Sequence, residues 1–227
     1  MFKRILFDLD GTLTDPKIGI TTCVQHALRH FGIEEEIDNL TKFIGPPLVD
    51  SFMEFYGLTR EDALIATDVY RERFAPIGKF ENEVYDGIKE MLAELKSAGI
   101  LLGVASSKPE VFVIDILKHF DLFEYFDVIV GSLMNETRTK KEEVLEEAFN
   151  RLSIVPIDES SSLEYKDKLK SENAMVGDRK FDVVGAKIFG LTAVGVAYGY
   201  AEPGELEAES PDFIAGTVDE LRDFLLK

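Results

Sequence analysis

The chain has 227 residues, 45% of them hydrophobic and 30% charged, with 25 Lys and Arg against 43 Asp and Glu for a formal net charge of −18. That length and apolar content bury an ample core and allow one or two domains, while the acidic surface argues against nucleic acid and anionic membranes as partners. The single cysteine, Cys23, can form no internal disulfide and fits a reducing compartment.

In chain order, the opening MFKR mimics the basic end of a signal peptide, but Asp8 cuts the apolar run short. No later stretch reaches the roughly 18 apolar residues of a bilayer span, so a cytoplasmic protein is expected. The first buried strand is RILFDL, 4–9. It ends by bringing together Asp8 and Asp10, which point the same way on a strand. At about 5 Å and an effective dielectric near 20, their repulsion is roughly 3 kcal/mol. A shared proton, a cation or a turn at Asp10-Gly11 would relieve it.

From Asp15 to about Asn82 no buried strand is visible. The helical stretches KIGITTCVQHALRHFG, PPLVDSFMEFYG and TREDALIATDVYRERFAP follow one another between Gly and Pro breaks. So long a helical segment exceeds an ordinary crossover. It predicts a small helical domain over 15–82, inserted after the first strand and hinged near Asp15-Pro16 and Phe80–Tyr85.

From there strands and helices alternate. Apolar runs at 100–105, 126–131, 173–178, 192–197 and 211–216 read as strands, separated mostly by helical patterns. Near-continuous apolar strands indicate a parallel sheet covered on both faces, hence an α/β, doubly wound, mainly parallel core over 1–14 and 83–227. The polar stretch 156–172 is expected to be a solvated loop or frayed helix at the amino edge of the sheet.

Ligands of such sheets sit outside the carboxyl ends of the strands, and the charged residues gather there. Strand 100–105 runs into Ser106-Ser107-Lys108-Pro109, with hydroxyls and N–H groups suited to an anion; plain N-capping is the bland alternative. Strand 173–177 ends in Gly177-Asp178-Arg179, with Asp182 four residues past Asp178. Lys140 and Lys141 stand at a helix start, where a cation is unfavourable without a nearby anion. Val144, Leu145 and Ala148 continue the face headed by Lys141, whereas Lys140 heads a largely acidic one, so Lys141 is expected to face the sheet. Carboxylates suit a hard ion such as Mg2+, and serine with lysine suits a phosphoryl group.

These motifs resemble those of the haloacid dehalogenase (HAD) superfamily of phosphatases, in the phosphoglycolate phosphatase-like branch with a helical cap. FDLDGTLTD looks like its DxDGT motif, VASSKP its Ser/Thr motif, TKKEEVL its lysine motif and VGDRKFD its GDxxxD motif. The resemblance implies a Rossmannoid core and a Mg2+-dependent phosphatase acting through an aspartyl-phosphate. Asp8 would be the nucleophile and Asp10 the acid and base; Ser106 and Lys141 would bind phosphoryl oxygens. Asp8, the Asp10 carbonyl and Asp178 would hold Mg2+, with Asp182, Thr12 and Ser107 in support. The loop TKFIGPPL, with Gly45, is expected to face the site, where Lys42 either meets a substrate carboxylate or phosphate or stays a solvated lysine. Glu142 follows Lys141 where many relatives have proline. The expected partner is a small phosphorylated metabolite, with phosphoglycolate as default, nucleoside monophosphates or pyrophosphate as alternatives, and the protein acting as a monomer or homodimer. A phosphomutase of the same family would use the same nucleophile, while a signalling receiver domain would be about half as long and lack the helical insertion.

Overall fold

The computed structural model describes residues 1–227. Its main sheet has six parallel strands in the order β5-β4-β1-β6-β7-β8. They are β1 (Arg4–Phe7), β4 (Leu101–Pro109), β5 (Val128–Ser132), β6 (Asn173–Gly177), β7 (Thr192–Val196) and β8 (Phe213–Ala215). All six strands read from the sequence are therefore present. A second, two-stranded antiparallel ribbon, β2 (Thr14–Asp15) with β3 (Glu83–Val84), joins the two chain crossings where the hinge was expected. Its strands are too short to carry a pattern.

Both faces of the sheet are buried because successive side chains alternate sides. Ile5 and Phe7 of β1 point into one cluster with Leu102, Val104 and Val176. Helices α4 (Ile88–Ser97) and α5 (Glu110–His119) and the C-terminal helix (Val218–Leu225) cover that face through Met91, Ile116 and Leu221. Leu6 points the other way, with Ala105, Val130 and Met175, under α6 (Lys141–Leu152) and α8 (Lys180–Ile188). From β1 the chain builds outward through β4 and β5, then returns to build the other way from β6. The switch of direction puts a crevice at the carboxyl ends of β1, β4 and β6.

Residues 16–82 hold three α-helices, α1 (Lys17–His30), α2 (Leu48–Tyr56) and α3 (Arg60–Phe74), and two 3-10 turns. They have their own core of Phe43, Phe52, Tyr70 and Phe74. Phe112 of α5 inserts into it, edge-on to Phe74 at 5.3 Å, so the cap is seated on the α/β layer. Gly19 permits the close packing of α1, since a Cβ there would lie 2.0 Å from the Gly78 carbonyl oxygen.

The stretch 156–172 is more ordered than expected. It contains α7 (Leu163–Glu172), capped by Ser162, whose hydroxyl accepts from the Tyr165 N–H at 3.2 Å. Leu169, its one buried residue, anchors it beneath the sheet, and Glu172 pairs with Lys3 at 2.7 Å at the amino edge. The lone apolar position is too weak a periodic signal to predict a helix, yet one anchor and a cap suffice here. Leu169→Ala should cost about 2–5 kcal/mol in chemical denaturation, whereas Asp158→Ala, in the exposed turn before α7, should leave turnover unchanged. A fall in turnover for Asp158→Ala would mean that this edge communicates with the opposite one.

Candidate active site

The catalytic crevice begins where β1 ends. Asp8 continues the ladder, its N–H donating to the Val176 carbonyl at 2.8 Å. The chain then turns sharply: the N–H groups of Thr12, Leu13 and Thr14 all point to the Leu9 carbonyl, and Gly11 adopts φ +78°. A side chain at Gly11 would also strike Asp178, with Cβ 2.1 Å from Oδ2, so the Gly of DGT is required twice over. The turn leaves Asp8 and Asp10 both buried and aimed into the crevice.

Each of the two carboxylates has its own lysine. Lys141, the first residue of α6, places Nζ 3.1 Å from Asp8 Oδ1, 2.7 Å from Asp182 Oδ1 and 2.8 Å from the Ala105 carbonyl oxygen. Only 4% of it is exposed. Burial opposes its charge, but Asp182 and Asp8 more than offset this and raise its pKa. Lys140 stays on the exposed side, and Glu143 accepts from its N–H at 3.2 Å to close the helix start. Lys108, just after the serine pair, sits 2.7 Å from Asp10 Oδ2 and over the Phe74 ring at 4.6 Å. Burial, the largest influence, raises the Asp10 pKa against the pull of Lys108.

Asp178 follows β6 directly. Its Oδ2 accepts the Tyr200 N–H at 2.7 Å, while Oδ1 is buried with no partner. One carboxylate oxygen from each of Asp8, Asp178 and Asp182 lies within 4.8 Å of the others. Asp182 is already engaged, by Lys141 through Oδ1 and by the Arg179 N–H at 3.1 Å through Oδ2. Three carboxylates thus face one buried ammonium. Burial, then the charges of Asp182 and Asp8, push the Asp178 pKa well above the carboxylate range, so the cluster lacks positive charge. The orphaned Asp178 oxygen and an all-oxygen donor set fit a hard divalent cation.

The remaining residues singled out in the sequence are partly gathered. Ser106 is buried, with its Oγ 3.4 Å from the Lys108 N–H, and Thr12 Oγ1 is buried without a partner. Because β4 runs on to Pro109 and α5 starts only at Glu110 without a side-chain cap, the serines are not helix caps. Ser107 and Gly45 line a cavity of about 70 Å³ between core and cap, together with Asp10, Lys108, Tyr70 and Phe74. Gly45, at φ +106°, lies against Arg179, where a Cβ would be 2.8 Å from Cγ.

Lys42 is not among the lining residues. It stacks over the Phe55 and Tyr56 rings at 4.8 and 5.1 Å, so the expectation that it meets the substrate is not met in this conformation. A surface cation on a short 3-10 turn finds aromatic faces more readily than the cleft.

Sequence reasoning passed over Lys108, Arg71, Glu136 and Arg179. Arg179 donates to the Ile44 carbonyl of the cap and pairs with Glu205 at 2.9 Å. Lys108 had a usable signal, one position beyond the serine pair. The others are visible only once cap and core are brought together.

Comparison with known proteins matches the family described as haloacid dehalogenase-like hydrolase over residues 5–196. A 5'-nucleotidase of Pseudomonas aeruginosa is 41% identical over 99% of this chain and 96% of its own. A phosphoglycolate phosphatase of Vibrio parahaemolyticus is 28% identical over 96% and 94%. The crystal structure of a "predicted phosphatase" from Clostridium acetobutylicum superimposes with a TM-score of 0.91 at 43% identity, covering 100% of this chain and 99% of that one. With a match across most of its length and the motif residues drawn to one crevice, the chain belongs to the haloacid dehalogenase-like hydrolases, as a phosphatase.

Proposed function

We propose that the protein is a Mg2+-dependent phosphatase of small phosphomonoesters that works through an aspartyl-phosphate on Asp8. The observation that carries this reading is the buried cluster of Asp8, Lys141, Asp178 and Asp182 beside Asp10. Asp8 and Asp178, with the Asp10 carbonyl, would hold the metal, which when bound neutralises charge between the carboxylates and the phosphoryl oxygens. Lys141, Ser106, Ser107 and Thr12 would receive those oxygens. An Asp8 oxygen attacks phosphorus as the ester P–O bond breaks, and Asp10 gives its proton to the departing alcohol. Asp10 then takes a proton from water, which attacks the same phosphorus, releasing phosphate and restoring the Asp8 carboxylate.

The substrate reading shifts from the phosphoglycolate default towards a nucleoside monophosphate. The more similar curated relative is a 5'-nucleotidase, and the cavity is walled by Phe43, Tyr70, Phe74 and Phe112, suited to a ring-bearing leaving group. At about 70 Å³ it is far smaller than the roughly 300–1,000 Å³ of ligand pockets, which supports a cap that moves apart from the core to admit substrate.

Phosphate release from a panel of phosphorylated metabolites with Mg2+ tests this directly. Asp8→Asn should abolish turnover, Asp10→Asn should lower it by about 10²–10⁴-fold, and excess chelator should stop it. Full activity of Asp8→Asn would sink the mechanism.

The two lysines at the start of α6 offer a sharper check. Lys141→Ala should cut turnover severely, since it removes the one cation touching Asp8, while Lys140→Ala should change little. The reverse ranking in steady-state kinetics would contradict the role given to Lys141.

A further inference from the structure

The cavity has two charged pairs, and each is closed upon itself. Lys108 is bound to Asp10 beside the reacting groups. The other pair spans the cap and the core. Arg71, on α3 of the cap, places Nη2 2.5 Å from Glu136 Oε1 and donates through Nη1 to the Met134 carbonyl at 3.2 Å. The side chains of Arg71 and Glu136 are only 14% and 17% exposed, and both line the cavity. Neither has a salt bridge or hydrogen bond to Asp8, Asp10 or Lys141. The loop carrying Glu136 is held firmly. Leu133 N–H donates to the Thr137 carbonyl at 2.9 Å, and Arg138 ties the loop to the Gly131 carbonyl at 2.8 Å and to Glu110 at 3.1 Å. Glu136 is therefore presented to Arg71 by a fixed segment, at φ +61°, a backbone conformation that a residue other than glycine seldom keeps without constraint.

We infer that Arg71 and Glu136 form a specificity-determining pair that makes the leaving-group end of the cavity electrically neutral, so that the enzyme takes phosphomonoesters whose leaving group bears no second charge. This rests on the phosphatase reading above. A carboxylate or second phosphate on the leaving group would need a free cation. Lys108 and Lys141 belong to the phosphoryl end, and Arg71 is already neutralised. To use Arg71, such a substrate would have to displace Glu136 and leave a part-buried carboxylate without its partner. A nucleoside, uncharged and carrying a flat base, asks for no such exchange, and the aromatic walls suit the base. Specificity would then come as much from the charge that Glu136 opposes as from the contacts the cavity offers.

The test compares kcat/KM for uridine 5'-monophosphate, phosphoglycolate and phenyl phosphate, all with Mg2+. Phenyl phosphate serves as a small substrate with an uncharged leaving group. The protein should favour the nucleotide over phosphoglycolate by about tenfold or more. Glu136→Gln frees Arg71 and should raise the ratio of phosphoglycolate to phenyl phosphate by about tenfold, chiefly through KM. Arg71→Gln should lower that ratio. Because each ratio is read within one variant, a general loss of activity cancels. Should a variant fold but not turn over, calorimetric titration with the nucleotide and with phosphoglycolate reads the same ordering as Kd. The inference is overturned if Glu136→Gln leaves the ratio unmoved, or if the unsubstituted protein prefers phosphoglycolate or the zwitterionic phosphoserine. Absence of phosphate release from all substrates, phenyl phosphate included, would instead overturn the phosphatase reading itself.

Discussion

The buried ammonium of Lys141 is the point on which the site is organised. It starts α6, yet its partners come from the end of β1, from the backbone of β4 and from α8, through Asp8, Ala105 and Asp182. Four elements meet at one cation, at the place where the sheet reverses its direction of growth. Such a group is stable only while its acceptors are in register, because removing one partner of a buried pair costs about 3–5 kcal/mol. The surrounding small residues follow from this. A Cβ at Gly185 would press on the Lys141 side chain at 3.0 Å, and one at Gly177 would lie 2.0 Å from the Asp182 carboxyl carbon. The glycine of the GDxxxD motif is there so that Asp182 can fold back over the strand end and reach the lysine.

The same lysine bears on the question raised by two aspartates closing a strand. A shared proton, a cation or a turn at Asp10-Gly11 were the three ways open to relieve their repulsion. In the folded chain each has its own ammonium, Lys141 for Asp8 and Lys108 for Asp10, and the chain turns between them through Gly11. Charge is thereby divided before any metal is considered. Asp10 and Asp178 each keep one buried carboxylate oxygen that no group answers, and such an all-oxygen, electron-rich pocket fits a further cation. In a chain with a formal charge of −18 the crevice still holds two barely exposed lysines, Lys108 and Lys141, and low exposure makes each count for more than a surface lysine.

Legibility in the sequence followed the range of the interactions. The six strands were plain because burial on both faces makes each a continuous apolar run, as in Ile5, Leu6 and Phe7. The phase of Lys141 over Lys140 was plain too, since Val144, Leu145 and Ala148 mark the inward face of α6 and are buried. Helix α7 was obscure because Leu169 alone faces the core and no period can be read from one residue. The β2–β3 ribbon was obscure for the same reason at strand scale. The stacking of Lys42 on Phe55 and Tyr56 was not legible, because a lysine near a glycine-proline turn carries no record of the aromatic rings beside it. Arg71 and Glu136, 65 residues apart on separate layers, leave no local pattern at all.

What the cap contributes can be read from its seam with the core. Arg179 reaches across to the Ile44 carbonyl, Lys79 pairs with Asp115 at 2.6 Å, Lys108 lies under Phe74 and Arg71 meets Glu136. Each bridge is a cation meeting an acceptor or an aromatic face, and most of these cations are poorly exposed. Contacts of this type weaken when water enters and strengthen when it leaves, so the seam favours either a closed cap or an open, solvated one over intermediate positions. Asp8, Asp10, Lys141 and Asp178 all lie on the core side. Two of the bridges nevertheless end within the active-site sequence: Arg179 is the residue after Asp178, and Lys108 holds Asp10. Closing the cap therefore removes water from the same lysine that orients Asp10. The helical layer and the α/β layer are thus coupled at the crevice through those two side chains.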